Sequence, residues 1–189
     1  MTIAAGSHRI GPEGGSLVVK TYREGLAAKA GHDLVIEVTR WEAIVDVAPD
    51  GAGAAIELHA DPASLEVREG VGGAKPLTDR DRDEIRANID DKVLGGQPIE
   101  FRSSAVRMPD RPGQLAVDGE LTMAGRTRPV AAQLDVGGDG RVTGTIALTQ
   151  SAWGIKPYRG LMGALKVRDE VEIVVDVRLP AEGQSPTTE

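Results

Sequence analysis

The sequence predicts a mainly β protein, an antiparallel β-barrel of about eight strands with one amphipathic helix. Three observations carry that expectation. Apolar and polar residues alternate with period two in run after run, as in strands with one face on a core and the other in water. The runs mostly follow one another through short Gly- and Asp-containing turns, and strands joined so closely are antiparallel, because parallel neighbours need a helical crossover. A single segment carries a helical repeat.

The first run sets Leu17, Val19 and Thr21 against Val18, Lys20 and Tyr22, and the next sets Leu34, Ile36 and Val38 against Val35, Glu37 and Thr39. The phase then flips, so that Trp41, Ala43, Val45 and Val47 share a face. A one-residue change of phase calls for a bulge or a tight bend near Thr39 and Arg40, and such a bend curves a sheet. Ile56, Leu58 and Ala60 follow, parted by Pro62 from Leu65 and Val67. From Thr78 to Leu94 the period changes. Ile85, Ile89 and Val93 share one helical face, Thr78 and Asp81 have capping-box spacing, and Gly95-Gly96 stops the helix. Alternation resumes with Ile99, Phe101 and Ser103, then Leu115 to Met123, Val130 to Val136, Val142 to Thr149 and Val171 to Leu179. Gly119 and Gly144, inside strands, are read as bends at barrel corners. Such a sheet has to bury its apolar side, and closure on itself is preferred here over a two-sheet sandwich.

The chain has 189 residues, a length for one core. Residues 1–15 are read as a flexible N-terminus, 16–180 as a single domain, and 181–189, polar and rich in Gly, Pro, Ser and Thr, as a disordered tail. Acidic residues outnumber basic ones, 29 to 22, for a formal net charge of −7, the wrong sign for a nucleic-acid partner. With no cysteine there are no disulfides, thiolate metal sites, iron–sulfur clusters or cysteine nucleophiles. No stretch approaches the roughly 18 apolar residues of a membrane helix, so stable membrane insertion is not expected. The first residues lack the apolar stretch of an export signal, and a cytoplasmic location is expected.

Gly119-Glu120-Leu121-Thr122-Met123-Ala124-Gly125-Arg126-Thr127-Arg128-Pro129-Val130 resembles a characteristic segment of the YceI-like family. Asp83 to Ala87 followed by Gln97-Pro98-Ile99-Glu100-Phe101-Arg102-Ser103 is similar to that family's helix and its next strand. Trp153-Gly154-Ile155 and Val171-Glu172-Ile173 resemble its closing segments, and Gly31-His32-Asp33 a variant found in some members. The likeness spans roughly Ser16 to Leu179. It implies a bacterial, lipocalin-like barrel that binds polyisoprenoids or other long-chain lipids, and it admits a homodimer.

Such a barrel holds one slender ligand, and each methylene buried in an aliphatic lumen gains roughly 0.8 kcal/mol. With one Phe, two Tyr and two Trp, the chain has few platforms for a flat ring system, which favours a flexible aliphatic or isoprenoid tail. The lumen candidates are Leu34, Ile36, Val38, Phe101, Leu121, Met123, Ile146, Leu148, Ile173 and Val175; the plainer alternative is that they form a packed core. Trp153 to Arg168 is a long connection with Gly154, Gly160 and Gly163, read as a lid over the mouth. There His32, Trp153, Ile155, Lys156, Tyr158, Arg159 and Met162 are candidate ligand contacts, with Lys156, Tyr158 and Arg159 meeting an anionic head group; the alternative is an ordinary surface loop.

The expected function is non-catalytic binding, sequestration or transport of a polyisoprenoid, an isoprenoid quinone or a fatty-acid-like ligand. One alternative is a barrel enzyme of isomerase or cyclase type using His32 beside Asp33, although adjacent strand residues face opposite ways. Another is a filled barrel serving as a protein-interaction scaffold. No cofactor and no metal is expected. His59 with Glu57 and Asp61 reads as a solvated face. Asp79, Asp81 and Asp83 imitate a calcium loop but meet Glu84 where Gly is needed and Asp90 where Glu belongs. Gly70 to Pro76 lacks the spacing of a phosphate-binding loop.

Overall fold

The structure, a computed structural model, describes residues 3–49, 53–108 and 113–179. In chain order the strands are β1 (Gly6–Ile10), β2 (Gly15–Thr21), β3 (Arg23–Glu24), β4 (His32–Val38), β5 (Trp41–Val47), β6 (Ala54–Ala60) and β7 (Leu65–Gly72). Helix α1 (Asp79–Asn88) follows. After it come β8 (Ile99–Arg107), β9 (Gln114–Met123), β10 (Arg126–Val136), β11 (Arg141–Thr149), β12 (Arg159–Gly160), β13 (Leu165–Val167) and β14 (Glu170–Arg178). The fold is mainly β with one helix, as the alternating runs predict.

Eleven strands form one antiparallel sheet in the order β1-β5-β6-β8-β9-β10-β11-β14-β2-β4-β7. The count differs from the expected eight because long ribbons break at corners. β1 is parted from β2 only by residues 11–14, β4 from β5 by 39–40, and β6 from β7 by 61–64. At the second and third breaks the pairing carries through the bend: the Thr39 N–H donates to Ser64 O (2.9 Å) and the Asp61 N–H to Arg40 O (3.0 Å). Ser64 is fully enclosed there, its hydroxyl donating to Asp61 O at 2.7 Å. The corner falls where the alternation flips phase. A sheet that twists and also bends at such corners curls around its apolar face, consistent with a barrel.

The expected flexible stretch 1–15 is corrected at residues 6–10, which pair with β5 from Gly6 opposite Val47 to Ile10 opposite Ala43. Gly-Ser-His-Arg-Ile offers one apolar side chain, Ile10, which is buried; the segment is held by main-chain pairing that no hydrophobic pattern announces. A second sheet, β12-β13-β3, is likewise too short to show a period. Residues 181–189, expected to be disordered, lie outside the described residues.

Helix α1 carries the expected capping box. Thr78 Oγ1 accepts the Asp81 N–H at 3.2 Å, and Asp81 Oδ2 accepts the Thr78 N–H at 2.8 Å. A π-helical turn, Ile89–Leu94, extends it to Gly95, which is left-handed with φ of 63°. Arg82 Nη1 donates to Val67 O (2.8 Å), fastening the helix to β7. Ile85, Ile89, Val93 and Leu94 all face the interior enclosed by the sheet.

Gly119 sits mid-strand in β9 and not at a corner. It lies opposite Ser103, beside the register shift between Ser103 and Ala105. A Cβ there would meet Arg102 O and the Phe101 ring, each at 2.5 Å, so the missing side chain is what lets Phe101 lie across β9. At Gly144 it is the Leu134 side chain that takes the space.

Candidate functional site

The curled sheet and α1 enclose a cavity of about 1250 Å³, above the roughly 300–1,000 Å³ of ordinary small-molecule sites. All ten lumen positions line it: Leu34, Ile36 and Val38 from β4, Phe101 from β8, Leu121 and Met123 from β9, Ile146 and Leu148 from β11, and Ile173 and Val175 from β14. One phase of each strand's alternation thus points to a shared interior. The same signal extends to residues outside the ten candidates, notably Val19, Ala43, Val45, Leu58, Val117 and Val130.

The polar lining residues gather largely toward one end. His32 lies there, its Nε2 2.8 Å from Lys75 O, with Asp81 and Glu84 at the start of the helix, and Lys166 from β13. The N–H and hydroxyl of Thr78 hold the Asp81 carboxyl below its usual range, so it stays ionised at this end. Asp33 turns the other way and is engaged by Arg23. It accepts the Arg23 main-chain N–H at 2.8 Å, while Arg23 Nη1 donates to the carbonyl oxygens of Gly31 and Val71. His32 and Asp33 therefore do not make an acid–base pair.

The connection 153–168 is fastened to the body, which corrects its reading as a free lid. Trp153 is only 4% exposed and donates Nε1–H to Leu121 O at 2.9 Å. Gly154, with φ of 74°, turns the chain back so that the Ile155 N–H reaches Gln150 O. Ile155 and Tyr158 line the cavity, whereas Trp153, Lys156, Arg159 and Met162 do not. The tight turn packs Trp153 against the wall, and the β12–β13 hairpin then carries Arg159 and Met162 outward. Lys166 pairs with Glu24, and Val167 with Arg23, across the small sheet.

Trp41, the first residue of β5, lines the cavity and is 6% exposed. Among the described residues its Nε1–H has no hydrogen-bond partner. Its orphan donor has no sequence signal, because the alternation marks Trp41 only as apolar. Among the described residues no cluster of three metal-ligating side chains occurs, and His59 instead faces Glu100 across 3.5 Å on the outer surface.

A model of the YceI-like domain matches residues 33–179 of the chain. Comparison with curated proteins finds no match. Among solved structures the fold is similar to BcnA of Burkholderia cenocepacia, with a TM-score of 0.60 at 19% identity, covering 85% of this chain and 94% of that one. It is also similar to a YceI protein of Campylobacter jejuni, with a TM-score of 0.56 at 12% identity, covering 74% and 80%. A cysteine variant of the Campylobacter protein carries a monobromobimane guest.

Proposed function

The chain belongs to the YceI-like domain family, and from that premise we propose that its cavity takes up one long aliphatic or isoprenoid chain, reversibly and without covalent chemistry. The observation that carries this reading is the cavity itself: about 1250 Å³, lined on nearly every strand by Leu, Ile, Val, Phe and Met, with its polar residues largely at one end. A ligand with a long apolar tail and a polar head has the same division. Each methylene transferred from water gains roughly 0.8 kcal/mol, so a chain of ten or more carbons is held without any specific polar contact. Polyisoprenoids, isoprenoid quinones and long fatty acids share this chemistry. The engagement of Asp33 by Arg23 and of His32 by Lys75 O gives the isomerase or cyclase alternative less support than the carrier reading.

Native mass spectrometry of the freshly purified protein, followed by solvent extraction and lipid identification, tests the proposal. The expected result is a one-to-one adduct that extraction removes and that carries a long apolar tail. A clean protein mass, unchanged after incubation with polyprenols, isoprenoid quinones and fatty acids, overturns it.

A further inference from the structure

We propose that the tip built by the small sheet β12-β13-β3 is a docking surface for an anionic lipid membrane. Two turns meet there. The Ala27 N–H donates to Ala164 O at 2.9 Å, so the turn carrying Leu26 is tied beside the turn carrying Leu161 and Met162, and the Arg168 N–H donates to Tyr22 O at 2.7 Å. Leu26 and Met162 are fully exposed. Of the six most exposed large apolar side chains among the described residues, four, namely Leu26, Tyr158, Leu161 and Met162, lie on this tip. A soluble protein rarely gathers such residues without a surface to meet them. Leu161 and Met162 are moreover held at φ of 49° and 55°, a left-handed conformation that disfavours bulky side chains.

Charge identifies the surface. Segments 22–31 and 154–168 together hold six basic residues and one acid, in a chain whose formal net charge is −7. Elsewhere most arginines are matched: of the twelve there among the described residues, nine, Arg40, Arg68 and Arg141 among them, lie against a carboxylate, while Arg82, Arg126 and Arg128 make no ion pair. Lys29, Lys156 and Arg159 are exposed at the tip and none makes an ion pair among the described residues, while Arg168, exposed beside them, lies over the Tyr22 ring at 5.7 Å. Exposed apolar side chains beside unpaired cations suit a bilayer interface, with anionic head groups above an acyl boundary. Tyr158 and Lys166 of the same region line the cavity, so docking would bring the part of the cavity wall that they form to the bilayer. That last point rests on the proposed lipid-chain reading; the exposure and charge arguments do not.

Flotation of the full chain with vesicles of equimolar phosphatidylcholine and phosphatidylglycerol, and of phosphatidylcholine alone, tests the surface at low and high salt. The expected result is binding to the anionic vesicles about tenfold or more tighter than to the neutral ones, weakened by salt. The double variants Leu26→Ser/Met162→Ser and Lys156→Glu/Arg159→Glu should each lower it about tenfold or more. None of these four residues lines the cavity, so the lipid adduct seen by mass spectrometry should survive in both variants, and with it evidence that they fold. Absence of binding, equal binding to both vesicle types, or folded variants that bind like the parent overturns the proposal. So does self-association of the chain abolished by Leu26→Ser/Met162→Ser, which would make a second copy the occupant.

Discussion

Trp153 gives its indole N–H to the main-chain carbonyl of Leu121, 2.9 Å away, while the side chain of Leu121 lines the cavity. One residue of β9 thus serves the lumen with its side chain and the outer turn with its backbone. The Arg128 Nε–H adds a second tie, to Ala152 O at 3.0 Å. Trp153→Phe should lower stability by about 1 kcal/mol through the lost hydrogen bond to the partly buried Leu121 carbonyl, and Trp153→Ala by about 3–5 kcal/mol through the void it leaves. Urea unfolding of the two variants checks both, and a loss below 1 kcal/mol in Trp153→Ala contradicts the packing described.

Trp41 presents the opposite case, a buried indole N–H with no partner among the described residues and a cavity in front of it. Trp41→Phe removes an unpaired donor and should leave the ligand-free protein equally stable or slightly more so. It should also erase about a tenfold preference for a long-chain ketone over the alkane of equal length, the worth of one hydrogen bond. Competition binding measures that ratio, and the indole N–H resonance of Trp41 should shift with the ketone alone, with hydrogen-bonded Trp153 as the internal control.

The hairpin between β9 and β10 turns through Ala124 and Gly125 at φ of 49° and 69°. Two positive φ values in a two-residue turn favour Asn-Gly, and Ala lacks the local hydrogen bond that eases Asn into this region. Ala124→Asn should therefore raise stability by about 0.5–1 kcal/mol, read as a higher melting temperature with an unchanged m-value.

Two carboxylates tie stability to pH. Arg40 and the Ala63 N–H hold the Asp61 carboxyl below its usual value, and Arg141 does the same for Asp176. A depressed folded-state value means that their contribution is present above the unfolded carboxylate range near pH 4 and is lost as acid protonates them. Melting temperature should fall as pH drops below about 4, and fall less in Asp61→Asn/Asp176→Asn, which has less to lose. Both partners are partly exposed, so the effect should be modest.

Period-two alternation made the lumen legible, because each strand faces the same interior with the same phase. Leu34, Ile36 and Val38 show it in β4, and Ile173 and Val175 in β14. It also located the corner at Thr39 and Arg40, where the phase change has to be absorbed. What it missed has no period. β1 is held by main-chain bonds around His8 and Arg9, and β3, β12 and β13 are two or three residues long. Trp153, Lys156, Arg159 and Met162 share composition and nearness in sequence, whereas the left-handed turn at Gly154 sends Trp153 into the wall, Lys156 is exposed after it, and the hairpin carries Arg159 and Met162 away. Sequence order gives no direction in a loop of that length.

The pairing of β2 with β14 also sets an order of assembly. Tyr22, just past the end of β2, donates its hydroxyl to Glu172 across 150 positions of chain, at 2.7 Å. The other ladders of the large sheet form between segments made earlier, except that of β11 with β14; the last strand pairs with its near neighbour β11 and with the distant β2. Until the ladder with β2 closes, the inward faces of β2, β4 and β11 have no completed interior, and contacts so distant in sequence slow the final step. Under the lipid-chain reading proposed above, a tail arriving in that interval would meet the future cavity lining on an open surface, so loading and closure of the sheet would occur as a single event.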